Sequence, residues 1–164
     1  MWPFTKKQDL QDRLSKFVSA DVAKDIISGT PSQEVEMRDC LILFILVQVN
    51  DSDLNEVGDL ITSVSDILIQ KRFTIVSVTS SLLLATYGFP LKELNPLKEG
   101  CEQVVKELTN DHPKKLKVLH GNVQGKYGLY GHPKGKTFGP ILPKFDSILK
   151  QLVELSYGEY GECR

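Results

Sequence analysis

A chain of 164 residues, 41% hydrophobic and 25% charged, is long enough for one domain with its own core and needs no covalent staples. Three cysteines, far apart and without a CxxC pair, exclude a disulfide framework and a zinc cluster. The longest purely apolar run, Leu41–Val47, is far short of a bilayer span. Met1–Lys7 leads into a polar stretch, not the apolar core of a secretory leader. The expectation is a cytoplasmic chain with no membrane role. The net charge of −1 argues neither for nor against nucleic acid, but the charge is unevenly spread. From His112 to Phe145 there is no Asp or Glu, whereas Lys114, Lys115, Lys117, Lys126, Lys134, Lys136 and Lys144 all fall inside.

In chain order, Leu10, Leu14, Phe17, Val18, Val22, Ile26 and Ile27 step by threes and fours. This predicts a helix or a bent helix pair over Asp9–Ile27, broken where Ser19 can cap a restart and ended by Gly29 and Pro31. Leu41–Val49 is almost uninterrupted in apolar residues, so it reads as a central strand buried on both faces. Asn50–Asp53 is a turn ending in a capping residue. Leu54, Val57, Ile61, Val64, Ile67 and Leu68 then trace a helix stripe that ends near Lys71-Arg72. Phe73–Ser80 and Leu82–Tyr87 form a hairpin with Ser80-Ser81 at its tip, closed by Gly88-Phe89-Pro90.

Pro96 suits the first position of a helix running through Cys101, Val104, Val105 and Leu108. Leu116–Leu119 and the glycine-broken Val123–Tyr130 read as two short strands, followed by a loop over Gly131–Gly139. Phe145, Ile148, Leu149, Leu152, Val153 and Leu155 predict a last helix, and Tyr157–Arg164 carries no pattern. The order is helix, then β-α-β-β-α-β-β-α. It describes a ferredoxin-like α+β sandwich.

Several motifs in this order resemble the catalytic domain of class III adenylate/guanylate cyclases. Phe17–Ala23 is similar to the helical lead-in that precedes such domains, and Leu43-Phe44 to the Leu-Phe of their first strand. Leu82–Pro90 is similar to the second hairpin strand with its Phe-Gly-x-Pro ending. Gly128–Gly131 resembles the Gly-Asn-x-Gly turn, Lys136-Thr137-Phe138 stands for Tyr-Thr-Val, and Lys144–Leu149 for the Asn-Leu-Ala-Ala-Arg-Leu helix start. The resemblance spans roughly residues 15–157. It implies a mixed, mostly antiparallel sheet of the nucleotide cyclase type with helices on one face. The implied division is a lead-in over 1–30, a C-terminally shortened cyclase-homology domain over 31–157 and a flexible tail over 158–164.

The resemblance also assigns roles. Two aspartates of the family hold two divalent ions, which require oxygen ligands; those positions read Leu46 and Ser81. The purine-selecting lysine and aspartate fall on Ser77 and Ile141, and the asparagine and arginine that steady ribose and phosphate fall on Lys144 and Ile148. All six positions are vacated. Loss of even one charge-stabilising group costs on the order of 10²–10³ in rate, so a non-enzyme with no metal and no cofactor is expected. Asp51 and Asp53 could offer replacement carboxylates, but a turn before a helix favours capping for both.

Two further patterns compete for a function. Gly121–Gly128 has the look of a phosphate loop without matching a P-loop or a dinucleotide fingerprint, and tight-turn glycines are its bland reading. Tyr127 and Tyr130 beside Lys126 and Lys134 could stack on RNA bases if they lay on an open sheet face. His112, His120 and His132 have no ligand-spaced carboxylate or cysteine nearby. The expected function is an inactive cyclase-homology domain that dimerises with itself or with another cyclase-type domain. The alternative is a phosphate, nucleotide or RNA sensor using segment 120–139, with Lys126, Lys134 and Lys136 as its cations.

Overall fold

A computed structural model of the chain describes residues 3–15, 23, 27–28, 35–49, 53–89, 100–132 and 135–164, with 3–7, 129–132 and 135–138 described at the backbone alone. Its elements are α1 (Pro3–Leu14), β1 (Glu36–Val47), α2 (Leu54–Gln70), β2 (Thr74–Thr79), β3 (Leu82–Tyr87), α3 (Cys101–Asp111), β4 (Leu116–His132), β5 (Gly135–Ile141), α4 (Phe145–Glu154) and β6 (Tyr160–Glu162). The sheet runs β2-β3-β1-β4-β5, with β6 joined to β4 beside β5. Among the described residues only the β4–β6 pairing is parallel. Among the described residues no helix is long and apolar enough to cross a membrane.

β1 is central because its two sets of alternate residues are both apolar. Leu43, Ile45 and Val47 face one side, where Leu60, Val64 and Leu68 of α2 and Val104, Val105 and Leu108 of α3 cover them. Cys40, Ile42 and Phe44 face the other side, against Phe89, Tyr127, Ile148 and Leu152. The expected sandwich is therefore present, with α2 and α3 on one face. The last helix, α4, lies on the other face, because Ile148 and Leu152 need an apolar seat and the even-numbered residues of β1 provide it; the Phe44 and Phe145 rings stand 6.1 Å apart there.

Asp53 caps α2 as its position predicts, its carboxylate accepting from the amides of Asn55 and Glu56 at 3.0 and 3.2 Å. Leu54 was expected in the helix stripe but is 73% exposed, and Leu60 fills the core instead. The asparagine and aspartate before Asp53 lie outside the described residues, as do Ser19, the proline at 96 and most of the predicted first helix.

Three expectations are corrected. Leu116–Leu119 and Val123–Tyr130 are one continuous strand, because Gly121 between them and Gly125 within the second sit in register against β1, opposite Ile42 and Arg38. The predicted loop Gly131–Gly139 is largely β5, whose ladder with β4 pairs Gly128 with Gly139 and Leu129 with Phe138. The tail expected to be without structure forms β6 instead, with Val118 paired to Tyr160 and His120 to Glu162. Gln151 of α4 fastens the end of that tail: its side-chain amide donates to the Arg164 carbonyl at 3.2 Å and accepts from the Arg164 amide at 3.1 Å.

Candidate functional site

Leu46 is the half-buried penultimate residue of β1, and Ser81 closes the β2–β3 turn, where Ser80 adopts φ +55°. The two come together because the Val47 amide donates to the Ser81 carbonyl at 2.8 Å. Leu46 is half-buried, paired with Leu82 on one side and with Lys117 on the other. Residues directly opposite in a ladder share a face, so Lys117 flanks this corner. Its ammonium donates to the Val153 carbonyl at 2.8 Å and stands 4.9 Å from the Tyr157 ring centroid. An alkyl side chain, a hydroxyl and a neighbouring ammonium do not suit a hard divalent cation, which wants anionic oxygens. Asp53 gives its carboxylate to the α2 cap. Among the described residues no group of three or more His, Cys, Asp or Glu side chains is placed to hold a metal.

The other four positions are scattered by environment. Ser77 is exposed on β2, just after a register shift against β3. Ile141 is 54% exposed at the end of β5. Lys144 occupies the N-cap position of α4 without making a side-chain cap. Ile148 is only 2% exposed and packs into the second core cluster, so it is a structural residue.

The lysine- and glycine-rich segment is strand, not loop, which removes the phosphate-loop reading of Gly121–Gly128. Gly125 is required by packing: a Cβ there would meet Leu142 at 2.8 Å and the Ile141 carbonyl at 2.9 Å. Tyr127 is fully buried, its ring tilted at 57° to that of Phe89 with centroids 5.4 Å apart, and donates to the Val123 carbonyl at 2.8 Å. It cannot stack on a base. Tyr130 lies on β4 opposite Thr137 and Lys136 on β5 opposite Gly131, while Lys134 lies outside the described residues. Lys126 is exposed in mid-strand, between Met37 and Ile141 in the ladder.

A cleft of about 370 Å³ opens between the N-terminus of α4 and β4, lined by Asn122, Val123, Gln124, Lys144, Ile148 and Arg164 among others. No sequence pattern signals it, since Arg164 reaches it only through the docking of β6. His112 and His120 are both held below the usual histidine range by burial. All three cysteines are free. Burial pushes Cys40 and Cys163 up to about 11 and Cys101 up to about 12, so none is a poised nucleophile.

No family model matches the sequence, and no curated protein matches it. Solved structures do. The dimeric guanylyl cyclase domain of the RhoGC fusion protein from the aquatic fungus Blastocladiella emersonii superposes with a TM-score of 0.61 at 9% identity, covering 79% of this chain and 82% of that one. The guanylate cyclase domain of RhGC from Catenaria anguillulae gives 0.57 at 11% identity, covering 77% and 79%. A bacterial light-regulated adenylyl cyclase gives 0.61 at 12% identity, covering 92% of this chain and 50% of that one. At such identities the likeness is one of fold, and it agrees with the motif order read from the sequence. The chain has the fold of the class III adenylyl/guanylyl cyclase catalytic domain.

Proposed function

We propose that this domain has kept the cyclase fold without the reaction and serves as a dimerisation or regulatory module. One observation carries the reading: Leu46 and Ser81, the positions that the resemblance gives to metal-binding acids, share one corner, and the cross-strand partners of Leu46 there are Leu82 and Lys117, neither of them an acid. A two-metal reaction needs carboxylates at that corner. The buried Ile148 argues the same way, since an arginine there would have to be charged inside the core.

A surface for a partner is available on the far half of the sheet, beyond α2 and α3. Met37, Lys126 and Ile141 are consecutive across β1, β4 and β5 and share a face. Met37 is 53% and Ile141 54% exposed. Two exposed apolar side chains astride a lysine stem suit a protein interface. The Blastocladiella domain, described as a non-canonical dimer, supports the expectation that a domain of this fold pairs with another copy.

The test combines light scattering with a cyclase assay. The expected result is a concentration-dependent dimer, reduced to monomer by Met37→Asp with Ile141→Asp, and no cyclic nucleotide from ATP or GTP with magnesium or manganese. Metal-dependent turnover by the purified chain would overturn the reading, as would a strict monomer that no cyclase-type domain binds.

A further inference from the structure

The sheet face that α2 and α3 cover continues beyond them. Leu43, Ile45 and Val47 of β1 lie under those helices, and half-buried Leu41 packs at the margin of the same core. Alternation brings Asp39 and Met37 to this face next, and both are exposed. Across the ladder Met37 stands opposite Lys126 and Asp39 opposite Gln124; Ile141 follows on the far side of Lys126. Gln124 and Lys126 are exposed as well. Met37, Asp39, Gln124 and Lys126 are therefore the corners of a quadrilateral on one open face. Two opposite charges occupy one diagonal, and Met37 and Gln124 occupy the other.

We propose that a second copy of this chain docks on this quadrilateral, about a two-fold axis that lies in the plane of contact along the Met37–Gln124 diagonal. The inference rests on the dimerisation reading above and names its partner and geometry. Such an axis exchanges the other two corners, so that Asp39 of each copy meets Lys126 of the other, and Met37 meets its own equivalent. Charge selects the partner. One corner is anionic, one cationic and two uncharged, so the patch complements itself and sets no charge against its like. Met37 and Ile141, 53% and 54% exposed, supply apolar area, and the Gln124 amide can hydrogen-bond its equivalent. Every contact away from the axis is made twice, which doubles the effect of changing either charge.

The experiment is analytical ultracentrifugation of the full chain over a dilution series at low salt. The parent chain should dimerise reversibly. Asp39→Lys sets lysine against lysine twice in each dimer, and Lys126→Asp sets aspartate against aspartate twice. Each should raise Kd by at least about tenfold. Mixing the two variants one to one should restore association, because both contacts of the mixed dimer become opposite-charge pairs. Lys150→Asp makes the same change of charge on α4, at the opposite face, and should leave Kd unchanged. All three positions are exposed, so the variants keep the fold, which a thermal melt verifies. A dimer indifferent to both reversals, or variants that do not associate when mixed, would overturn this pairing and leave the dimerisation reading in place. A parent chain that stays monomeric would also overturn it; the wider reading then turns on the cyclase assay and on binding to another cyclase-type domain.

Discussion

Lys117 stands directly opposite Leu46 across the β1–β4 ladder, its ammonium fixed on the Val153 carbonyl at 2.8 Å. The corner that the cyclase resemblance assigns to metal thus has a cation as its neighbour. Installing both acids, Leu46→Asp with Ser81→Asp, should create manganese binding detectable by electron paramagnetic resonance. The new Asp at 46 would also pair with Lys117, so adding Lys117→Ala should tighten manganese about tenfold, the worth of one close charge pair. Neither variant should produce cyclic nucleotide, because Ser77, Ile141, Lys144 and Ile148 are unchanged. Cyclic nucleotide from the double variant would show that metal loss alone silenced the domain.

Ile148 fills the second core cluster at 2% exposure, among residues that include Phe44 and Leu152. Ile148→Arg, which restores the residue type the family carries there, should therefore cost more than about 3 kcal/mol of stability through burial of an unpaired charge. Urea unfolding of the variant beside the parent chain measures it. A loss under about 1 kcal/mol would mean that the helix can turn this side chain to solvent.

Gly125 holds a close approach of β4 to Leu142. A methyl group at this position meets the Leu142 side chain at 2.8 Å, the Ile141 carbonyl at 2.9 Å and the Tyr127 ring at 3.3 Å. Gly125→Ala should destabilise by about 1–3 kcal/mol through overpacking. The same substitution at Gly58, which has open space around it on α2, should stabilise slightly by raising helix propensity. The opposite signs in one denaturation series are the check.

His112 and His120 protonate below the ordinary 6.5 because burial disfavours the charged ring; His112 lies 3.3 Å from the Ser63 hydroxyl, and His120 is 7% exposed. As pH falls past about 6.5 the unfolded chain takes up these protons before the folded one does. Stability should therefore decline from neutral pH downward and level off below the folded values. His120→Gln should flatten that decline, read as urea midpoints between pH 7.5 and pH 5. An identical slope in the variant would assign the effect to other groups.

The legibility of this fold followed the density of local signal. β1 was evident from Leu41 onward because every residue there is apolar, but its first four residues, Glu36–Asp39, are mostly charged, alternate half-buried and exposed, and carried no signal. β4 read as two strands because Gly121 and Gly125 look like breaks in one dimension; in three they are places where Cys163 and Leu142 press against the backbone. β5 read as a loop because Gly135, Gly139 and Pro140 are turn residues by type, while pairing with β4 supplies its structure from outside. Tyr127 was a candidate base-stacking residue until Phe89 covered it.

Residue identity alone determined the two-faced burial of β1, the capping of α2 by Asp53 and the lack of acids at positions 46 and 81, because each follows from side-chain chemistry at one place in the chain. Tertiary structure alone decided that Leu46 meets Lys117, that β6 joins β4, and that Lys144 and Arg164 share a cleft. Those relationships join residues far apart in sequence, and what brings them together is ladder register and core packing, which no local pattern encodes.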